Sequence, residues 1–521
     1  MSHLGRQRAP GIVGVPGTLG STLCETSSVR ARHFLTSLLA AILWLAFGFE
    51  PVLAAPHPSI DFSDCRLEHP TGLRSVSARC GYLQVAEDPA RPDGTKIRIR
   101  VAIIDALSKK PAVEPLFIVS GGPGSSAGQF FATVADAFER VRRDRELVVV
   151  DQRGTGLSNP LGCDYADDFE SGELSLERLH ELTAACRARL RAQLEFYTTS
   201  VAVRDLDQVR AALGYQHISL YGASYGTRVV EHYARRYPER THAVILDGVV
   251  VPEVPVGPSI ATDAQAALDR ILAICARDKD CSQRFPGLAS RFTRLLDAIA
   301  QKPRDLDIRD PLTGERQHVV VTRDHLVSAV RLLSYSSTTI AVLPLLLDAA
   351  ARDDLMPLVA QSIMTSRALA DQIWIGMHNS VVCAEDVPYY LAANIDRGAL
   401  ARTYIGVQQL DALMEICKIW PRGLMDADLH QPLDSKVPAL ILSGELDPVT
   451  PPANGERVAR EFRDSLHVIA AGQGHGQLAT GCVPRLMAEF LDAGTTVGLD
   501  VSCTKSITAL PYFLNFSGPS P

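Results

Sequence analysis

The sequence predicts an α/β fold, in which a mostly parallel central sheet is flanked by helices and interrupted by a long, mainly helical insertion. Short and wholly apolar runs recur along the chain, as in strands of a sheet that is covered on both faces. Between them lie stretches with apolar residues at helical intervals. This alternation stops between residues 252 and 436, where helical patterns dominate.

The first predicted strands, Tyr82–Val85 and Ile97–Ile104, pair antiparallel across a Pro-Asp-Gly turn. The later strands are shorter and apolar; they are Leu116–Val119, Leu147–Val150, Ile218–Leu220, Ala243–Leu246, Ala439–Leu442 and His467–Ile469. Helical spacing predicts helices at 202–213, 227–237, 262–276, 288–301, 323–333 and 339–350. We therefore expect one core, formed by residues 55–251 and 437–521, around an inserted lid at 252–436.

The composition excludes several functional classes. With 46% hydrophobic and 21% charged residues in 521, the chain is globular rather than disordered, collagenous or coiled-coil. A formal net charge of -7 provides no basic field for a nucleic acid. There is no phosphate-binding loop, dinucleotide fingerprint or zinc-spaced cluster, so we expect neither a cofactor nor a metal.

Residues 1–54 have the features of a secretory signal. Basic residues at 30 and 32 precede an apolar run, Phe34–Phe49, and small residues follow at Ala54 and Ala55. A retained membrane anchor is the alternative, although a spanning helix needs about 20 apolar residues. We expect cleavage near Ala54 or Ala55 and a secreted or cell-envelope protein, with loose envelope association as an option.

Cysteine usage agrees with export. The chain has 11 cysteines, and removal of the leader with Cys24 leaves an even number. In an oxidising compartment these would form disulfides, although sequence alone does not determine connectivity and buried reduced thiols are the alternative. Plausible neighbour pairs are Cys65–Cys80, Cys163–Cys186, Cys275–Cys281, Cys383–Cys417 and Cys482–Cys503.

The central motif is GASYGT at 222–227, which has the form Gly-x-Ser-x-Gly between a predicted strand and a predicted helix. This arrangement is typical of a nucleophile elbow, in which a strained turn projects the serine hydroxyl from the sheet. Because a serine hydroxyl is a weak nucleophile, it needs a nearby base. We therefore expect Ser224 to be the nucleophile of a Ser-His-Asp triad.

The order Ser…Asp/Glu…His directs the search downstream of Ser224. GELDPVTPP at 444–452 follows a strand and offers Asp447 as the acid, with Glu445 as the alternative nearer the strand. AGQGHG at 471–476 follows the last strand and offers His475 as general base and acid. His467 lies inside the predicted strand and is interpreted as structural.

Acyl transfer also requires donors for the oxyanion. SGGPGSS at 120–126 follows the third predicted strand, where the backbone N–H of Gly122 is our candidate for the first donor. The second candidate is the N–H of Tyr225, directly after the nucleophile. DQRGTGLS at 151–158 contains an Asp and an Arg that we expect to brace loops rather than to perform chemistry.

With GGPGSS, DQRGTGLS, GASYGT, GELDPVTPP and GHG in this order, the chain resembles the proline iminopeptidase and tripeptidyl aminopeptidase family of α/β-hydrolases. The resemblance covers most of residues 60–505 and is greatest to exported members with a TAP-like C-terminal region. The family usually has His before GGPG, where this chain has Ser120. The resemblance implies an exported serine exopeptidase that acts near a free peptide N-terminus.

An aminopeptidase must hold the substrate's α-ammonium, and acids in the lid are the physical candidates. Glu385 and Asp386 stand beside Cys383 and are the first pair to test, with a solvated acidic turn as the alternative. A carboxylesterase or lipase acting on envelope or small esters is the competing function, because the same triad serves both chemistries. A catalytically dead binding protein is a third possibility.

Overall fold

The strands of the computed structural model form one nine-stranded sheet and one separate hairpin within the described residues, which are 59–72, 74–163, 174–391 and 393–519. The predicted leader, its cleavage point and Cys24 lie outside them. The strands are β1 Ser63–Glu68, β2 Ser75–Ala86, β3 Lys96–Ile104, β4 Leu116–Val119, β5 Leu147–Val150, β6 Ile218–Ala223, β7 Thr241–Asp247, β8 Arg304–Arg309, β9 Arg316–Val321, β10 Ala439–Gly444 and β11 Ser465–Ala470.

The large sheet has the order β1-β2-β3-β5-β4-β6-β7-β10-β11. The first three pairs in this order, β1/β2, β2/β3 and β3/β5, are antiparallel. Every pair from β5/β4 to β10/β11 is parallel. All eight predicted strands are present, several of them longer than predicted. β1 was not predicted, because it is a half-exposed edge strand without an apolar run. The predicted mostly parallel α/β sheet is confirmed.

The apolar strands are explained by burial on both faces. Within β4, Phe117 packs into one hydrophobic cluster, while Leu116 and Ile118 pack into another. Because successive side chains of a strand point to opposite faces, every position of a doubly covered strand must be apolar. The carboxyl ends of β4, β6, β7, β10 and β11 therefore share one edge, where polar loops can meet.

Helices cover the sheet and fill the insertion. Those before the insertion are α1 Ala127–Val134, α2 Glu139–Arg142, α3 Leu176–Arg189, α4 Thr199–Ala212 and α5 Tyr225–Arg236. Those within it are α6 Ile260–Arg277, α7 Lys279–Arg284, α8 Leu288–Gln301, α9 Arg323–Leu333, α10 Ser337–Ala350, α11 Met356–Gln372, α12 Ile375–Glu385, α13 Arg397–Ala401 and α14 Gln408–Ile419. Two follow the insertion, α15 Pro452–Ala459 and α16 Val483–Ala493.

The insertion between β7 and β10 has its own hydrophobic cluster, built mainly from α6 to α11. It is not purely helical, because β8 and β9 pair antiparallel within it. The cluster also includes Leu446, which directly precedes the predicted catalytic acid, and Tyr512 near the C-terminus. The insertion is thus packed against the loop after β10 and the C-terminal segment.

Five disulfides join neighbouring cysteines, and they are the pairs that the sequence suggested. Cys65–Cys80 ties the edge strand β1 to β2, and Cys383–Cys417 ties α12 to α14. Cross-links of this kind stabilise a fold mainly by restricting the unfolded chain. They also fit an oxidising environment.

Candidate active site

Ser224 lies in a sharp turn between β6 and α5. Its φ of 53° and ψ of −124° lie outside the ordinary regions, as expected for a strained elbow. Close packing leaves no room for a side chain at either flanking glycine. A Cβ on Gly222 would come within 2.5 Å of the Gly226 carbonyl oxygen, and one on Gly226 within 2.7 Å of the Ser120 oxygen. The Gly-x-Ser-x-Gly spacing therefore follows from close strand–helix packing.

Asp447 and His475 meet at the edge where β10 and β11 end. Oδ2 of Asp447 lies 2.8 Å from Nδ1 of His475. Its Oδ1 accepts the backbone N–H groups of Val449 and Thr450 at 2.8 and 2.9 Å, and the Thr450 hydroxyl donates to Oδ2 at 2.7 Å. The carboxylate is thus held in a fixed orientation against the imidazole.

The alternative residues point elsewhere. Oε2 of Glu445 accepts the Gly472 N–H at 2.8 Å, so this carboxylate braces the loop after β11. Nε2 of His467 lies 2.9 Å from the Ser443 hydroxyl oxygen, between two neighbouring strands. Of the candidate acids and bases from the sequence, the structure brings Asp447 and His475 together.

The backbone after β7 lies between the nucleophile and the base. The Ser224 N–H donates to the main-chain oxygen of Asp247 at 2.8 Å. At the next residue, Gly248, a Cβ would come within 2.9 Å of Cε1 of His475. Ser224 and His475 are therefore neighbours across one short stretch of main chain, and a side chain at position 248 would displace the imidazole.

Two effects oppose each other at His475. Burial lowers the pKa of its imidazole, whereas the charge and hydrogen bond of Asp447, together with the charge of Asp247, raise it. The carboxylates prevail, and the pKa of His475 is raised above its usual value. This environment favours the imidazolium that a general base becomes when it takes a proton.

The candidate oxyanion loop lies directly against the nucleophile. A Cβ on Gly121 would come within 3.0 Å of the Cβ of Ser224, so only glycine allows this approach. Gly122 has a φ of 111°, which strongly favours glycine. Tyr225 is the first residue of α5, where backbone N–H groups have no partner within the helix. Tyr225 directly follows Ser224, and Gly122 directly follows the glycine that contacts Ser224.

Residues of the insertion touch two loops of the candidate site. The N–H of Trp374 donates to the Gly124 oxygen at 2.9 Å, next to a bridge between Ser125 and Ile373. On the other loop, the N–H of His475 donates to the Tyr335 oxygen at 2.7 Å, and the two rings make an edge contact at 5.4 Å. The insertion is therefore a structural support of the candidate site.

Glu385 and Asp386 do not form a solvated acidic turn, since they are 0% and 1% exposed. Both face Arg228 of α5, which is also 1% exposed; its nitrogens lie 3.5 Å from Glu385 Oε2 and 2.9 Å from Asp386 Oδ1. We refer to these three residues as the Arg228 cluster. Thr199 donates its hydroxyl to Glu385 and also lies 2.7 Å from the Tyr225 hydroxyl. The cluster thus connects to the residue after Ser224.

Burial raises the pKa of Glu385 to about 7, even though Arg228 and Thr199 favour its ionised form and Asp386 opposes it. The carboxyl group can therefore change charge near neutral pH. Two acids share one guanidinium, so the fully ionised cluster has one excess negative charge.

The DQRGTGLS segment braces loops, as its sequence suggested. Asp151 accepts the Ser126 hydroxyl and the N–H groups of Gly128 and Leu157. Arg153 forms a bidentate pair with Asp205 at 2.6 and 2.8 Å. The Asp151 bonds fix the start of α1, directly after the candidate oxyanion loop, and the Arg153 pair ties the segment to α4.

Three residues at the site were not singled out from the sequence. Thr450 stands three positions after Asp447, a spacing that often signals a side-chain turn. Arg228 is a charged residue on the buried side of α5, and Asp247 is the polar end of an otherwise apolar strand. A charge within an apolar segment is the signal that could have revealed the last two.

Over the described ranges, no group of three or more His, Cys, Asp or Glu side chains is arranged to hold a metal ion. In the same part of the chain, no helix is long and apolar enough to cross a membrane.

Comparison with known proteins agrees with this fold. A model of the alpha/beta hydrolase fold matches residues 114–274, and a model named TAP-like protein matches residues 402–503. The "Serine protease Hip1" of Mycobacterium tuberculosis is 27% identical over 540 residues, which is 93% of this chain and 100% of the relative. The "Tripeptidyl aminopeptidase" of Streptomyces lividans is 26% identical over 498 residues, covering 88% and 89%.

A shorter match, 26% identical over 180 residues, joins 32% of this chain to 39% of the "Proline iminopeptidase" of Neisseria gonorrhoeae. Both family models fall on the segments that contain the elbow and the Asp447–His475 pair. The chain is a serine hydrolase with the α/β-hydrolase fold, and it resembles the proline iminopeptidase and tripeptidyl aminopeptidase family.

Proposed function

We propose that the chain is an exported serine aminopeptidase that hydrolyses peptide bonds near a free N-terminus. The single observation that carries the proposal is the Asp447–His475 pair, joined at 2.8 Å beside the Ser224 elbow. This is the arrangement needed to activate a serine for acyl transfer. The names of the relatives, a serine protease and a tripeptidyl aminopeptidase, favour peptides as substrates.

In this mechanism His475 takes the proton of the Ser224 hydroxyl while Oγ forms a bond to the scissile carbonyl carbon. Asp447 keeps the imidazole in the required tautomer and stabilises the imidazolium. His475 then gives the proton to the leaving amine as the C–N bond breaks, which leaves an acyl-enzyme. Water, deprotonated by the same imidazole, releases the acyl group and restores Ser224.

The backbone N–H groups of Gly122 and Tyr225 are the proposed oxyanion donors. Rigidity of these donors is what makes an oxyanion hole effective. Gly122 lies in a loop tied to the insertion through Gly124, and the Ser120 hydroxyl donates to the Ser125 oxygen at 2.8 Å across the same loop. This loop is therefore held on both sides before any substrate arrives.

The Arg228 cluster is the proposed attraction for the substrate's α-ammonium. Its support is the negative charge that remains when Glu385 and Asp386 share one guanidinium, and its link through Thr199 to Tyr225. An ammonium group pairs favourably with such a desolvated carboxylate. This would select peptides with a free amine over blocked ones.

We further propose that residues 252–436 act as a lid and that the chain works outside the cytoplasm, in the medium or in the cell envelope. The lid role is supported by the contacts of Tyr335 and Trp374 with the two catalytic loops. Export is supported by five disulfides, which persist in oxidising compartments.

The test compares hydrolysis of aminoacyl- and tripeptidyl-arylamides with that of short acyl esters, using Ser224→Ala as the blank. A fluorophosphonate probe reports the nucleophile independently of substrate. We expect labelling at Ser224 and higher kcat/KM on arylamides with a free amine than on N-acetylated ones. Hydrolysis of short acyl esters without hydrolysis of any free-amine arylamide would make the chain a carboxylesterase, and absence of labelling would make it a binding protein.

A further inference from the structure

Asp247 ends β7 with a buried carboxylate that the triad does not use. The side chain accepts the Tyr221 hydroxyl at 2.8 Å. It also accepts the backbone N–H of Gln477, at 2.7 and 2.9 Å from its two oxygens, and that of Leu478 at 2.9 Å. A buried carboxylate with three donors is a fixed anchor rather than a surface charge.

The two backbone donors belong to the loop that carries His475. They lie two and three residues after it, and the Gln477 side-chain amide closes the loop by donating to the Gly474 oxygen at 2.7 Å. Tyr335 holds the N–H of His475 itself from the opposite side. Because the main-chain oxygen of Asp247 also accepts the Ser224 N–H, one residue holds both the nucleophile and the base.

The charges around Asp247 come from two neighbouring elements. Tyr221 faces it from β6, and His475 faces it from the loop after β11, with Asp447 on the far side of the imidazole. Burial raises the pKa of Asp247 to about 6, while Tyr221, the two amides and His475 hold it lower than burial alone would. Above that pH the carboxylate adds a second negative charge near the imidazole.

We propose that Asp247 is a positioning residue for the general base: it anchors the His475 loop, and its charge stabilises the imidazolium. The inference rests on the proposed function of His475 as the base. A second carboxylate would make His475 more basic than Asp447 alone does. Asp247 would also keep the imidazole aligned with Ser224. The loop that carries His475 can move only if the backbone N–H groups of Gln477 and Leu478 lose Asp247 as their acceptor.

The test is the pH dependence of fluorophosphonate labelling of Ser224 in the full chain, which requires no knowledge of the substrate. For Asp247→Asn we expect the acid limb of the labelling rate to move about 0.5 to 1 pH unit lower, because the imidazolium loses a stabilising charge. The plateau rate should fall about 10-fold, because the amide replaces one acceptor oxygen with an N–H2 donor that faces other donors of this site. A plateau loss with an unmoved acid limb would overturn the role of the charge.

The matched control is Asp348→Asn, which removes another buried aspartate whose partners are arginines of the insertion. It should lower the melting temperature without moving the acid limb; an equal shift in this variant would overturn the proposal. Tyr221→Phe provides a second variant if Asp247→Asn does not fold. It retains the ring but removes a hydrogen bond that lowers the pKa of Asp247, so less of this carboxylate is ionised near the acid limb, and the limb should move lower, by less than in Asp247→Asn.

An unmoved limb in Tyr221→Phe would count against the proposal. Failure of the wild-type chain to label at Ser224 would remove the proposed function and this inference together. Normal wild-type labelling with unshifted limbs in both variants would overturn only the inference.

Discussion

The Asp447–His475 pair and the Arg228 cluster are two buried carboxylate sites beside the same serine, and their counter-groups differ. Asp447 faces an imidazole whose side chain is 15% exposed, whereas Glu385 and Asp386 face a guanidinium that is almost fully enclosed. An imidazole changes charge within the working pH range, but a guanidinium does not. The first site can therefore pass a proton through its counter-group, whereas the counter-group of the second stays charged and Glu385 is the group that titrates near neutral pH.

The two sites also differ in what holds them. Asp447 is positioned mainly by its own loop, through Val449 and Thr450. The Arg228 cluster joins distant segments: Arg228 is on α5, Glu385 and Asp386 are at the end of α12, and Asp386 also accepts the Val256 N–H at 2.7 Å. Damage to the first should therefore affect chemistry, and damage to the second should affect stability and substrate binding.

The largest expected effect is that of Asp447→Asn. The amide would present an N–H to Nδ1 of His475 and favour the wrong tautomer, so kcat should fall about 10⁴-fold with the fold intact. Steady-state kinetics measure kcat, and a thermal melt shows whether the fold is intact. Glu445→Gln is the matched control, and we expect less than about a 10-fold loss because its carboxylate serves only Gly472. Equal losses in both variants would remove the distinction between these acids.

Arg228→Met should affect stability most. It leaves two buried carboxylates without their cation, so the free energy of unfolding should fall by about 3 to 5 kcal/mol. Urea unfolding measures this. Arg235→Met is the control on the same helix, since that half-buried side chain contacts main-chain oxygens and should cost about 1 kcal/mol. If the two variants were equally stable, the Arg228 cluster would have no special structural role.

Removal of the Cys383–Cys417 disulfide tests the support of the cluster from α12. The bond spans 34 residues, and its replacement by two serines should cost about 4 kcal/mol in the loop-entropy description. The Cys275–Cys281 bond spans 6 residues and should cost about 2 kcal/mol. We expect the first variant to raise KM as well, because Glu385 lies two residues from Cys383. A KM increase in the second variant alone would contradict this assignment.

The smallest expected effect concerns substrate binding. Glu385→Gln should raise KM for free-amine peptides about 10-fold at pH 8, with little change for N-acetylated ones. In the wild type, this KM should fall as pH rises through about 7, because the raised pKa keeps Glu385 neutral below that pH and ionised above it. Asp305→Asn, an exposed change on β8, is the control. Unchanged KM values in Glu385→Gln would discard the ammonium role.

The sequence by itself determined much of the architecture. The apolar runs predicted β4 and β5 with their observed bounds, because strands buried on both faces have no alternative to apolar residues. The order of the elbow, the acid and the histidine limited the search to a few candidates. The β8–β9 hairpin was not predicted, because its two strands have only six residues each and lie in a region dominated by helical spacing.

Only the tertiary structure decided which candidates meet. Asp447 and Glu445 both follow β10, whereas His467 lies within β11 and His475 follows it. Which acid meets which histidine depends on how these loops are held in the folded chain. The N–H of His475 donates to the main-chain oxygen of Tyr335, which lies 140 residues earlier in the chain. Arg228 forms ion pairs with the acids at the end of α12. Local spacing contains no record of such contacts, because they arise only when the insertion packs against the core.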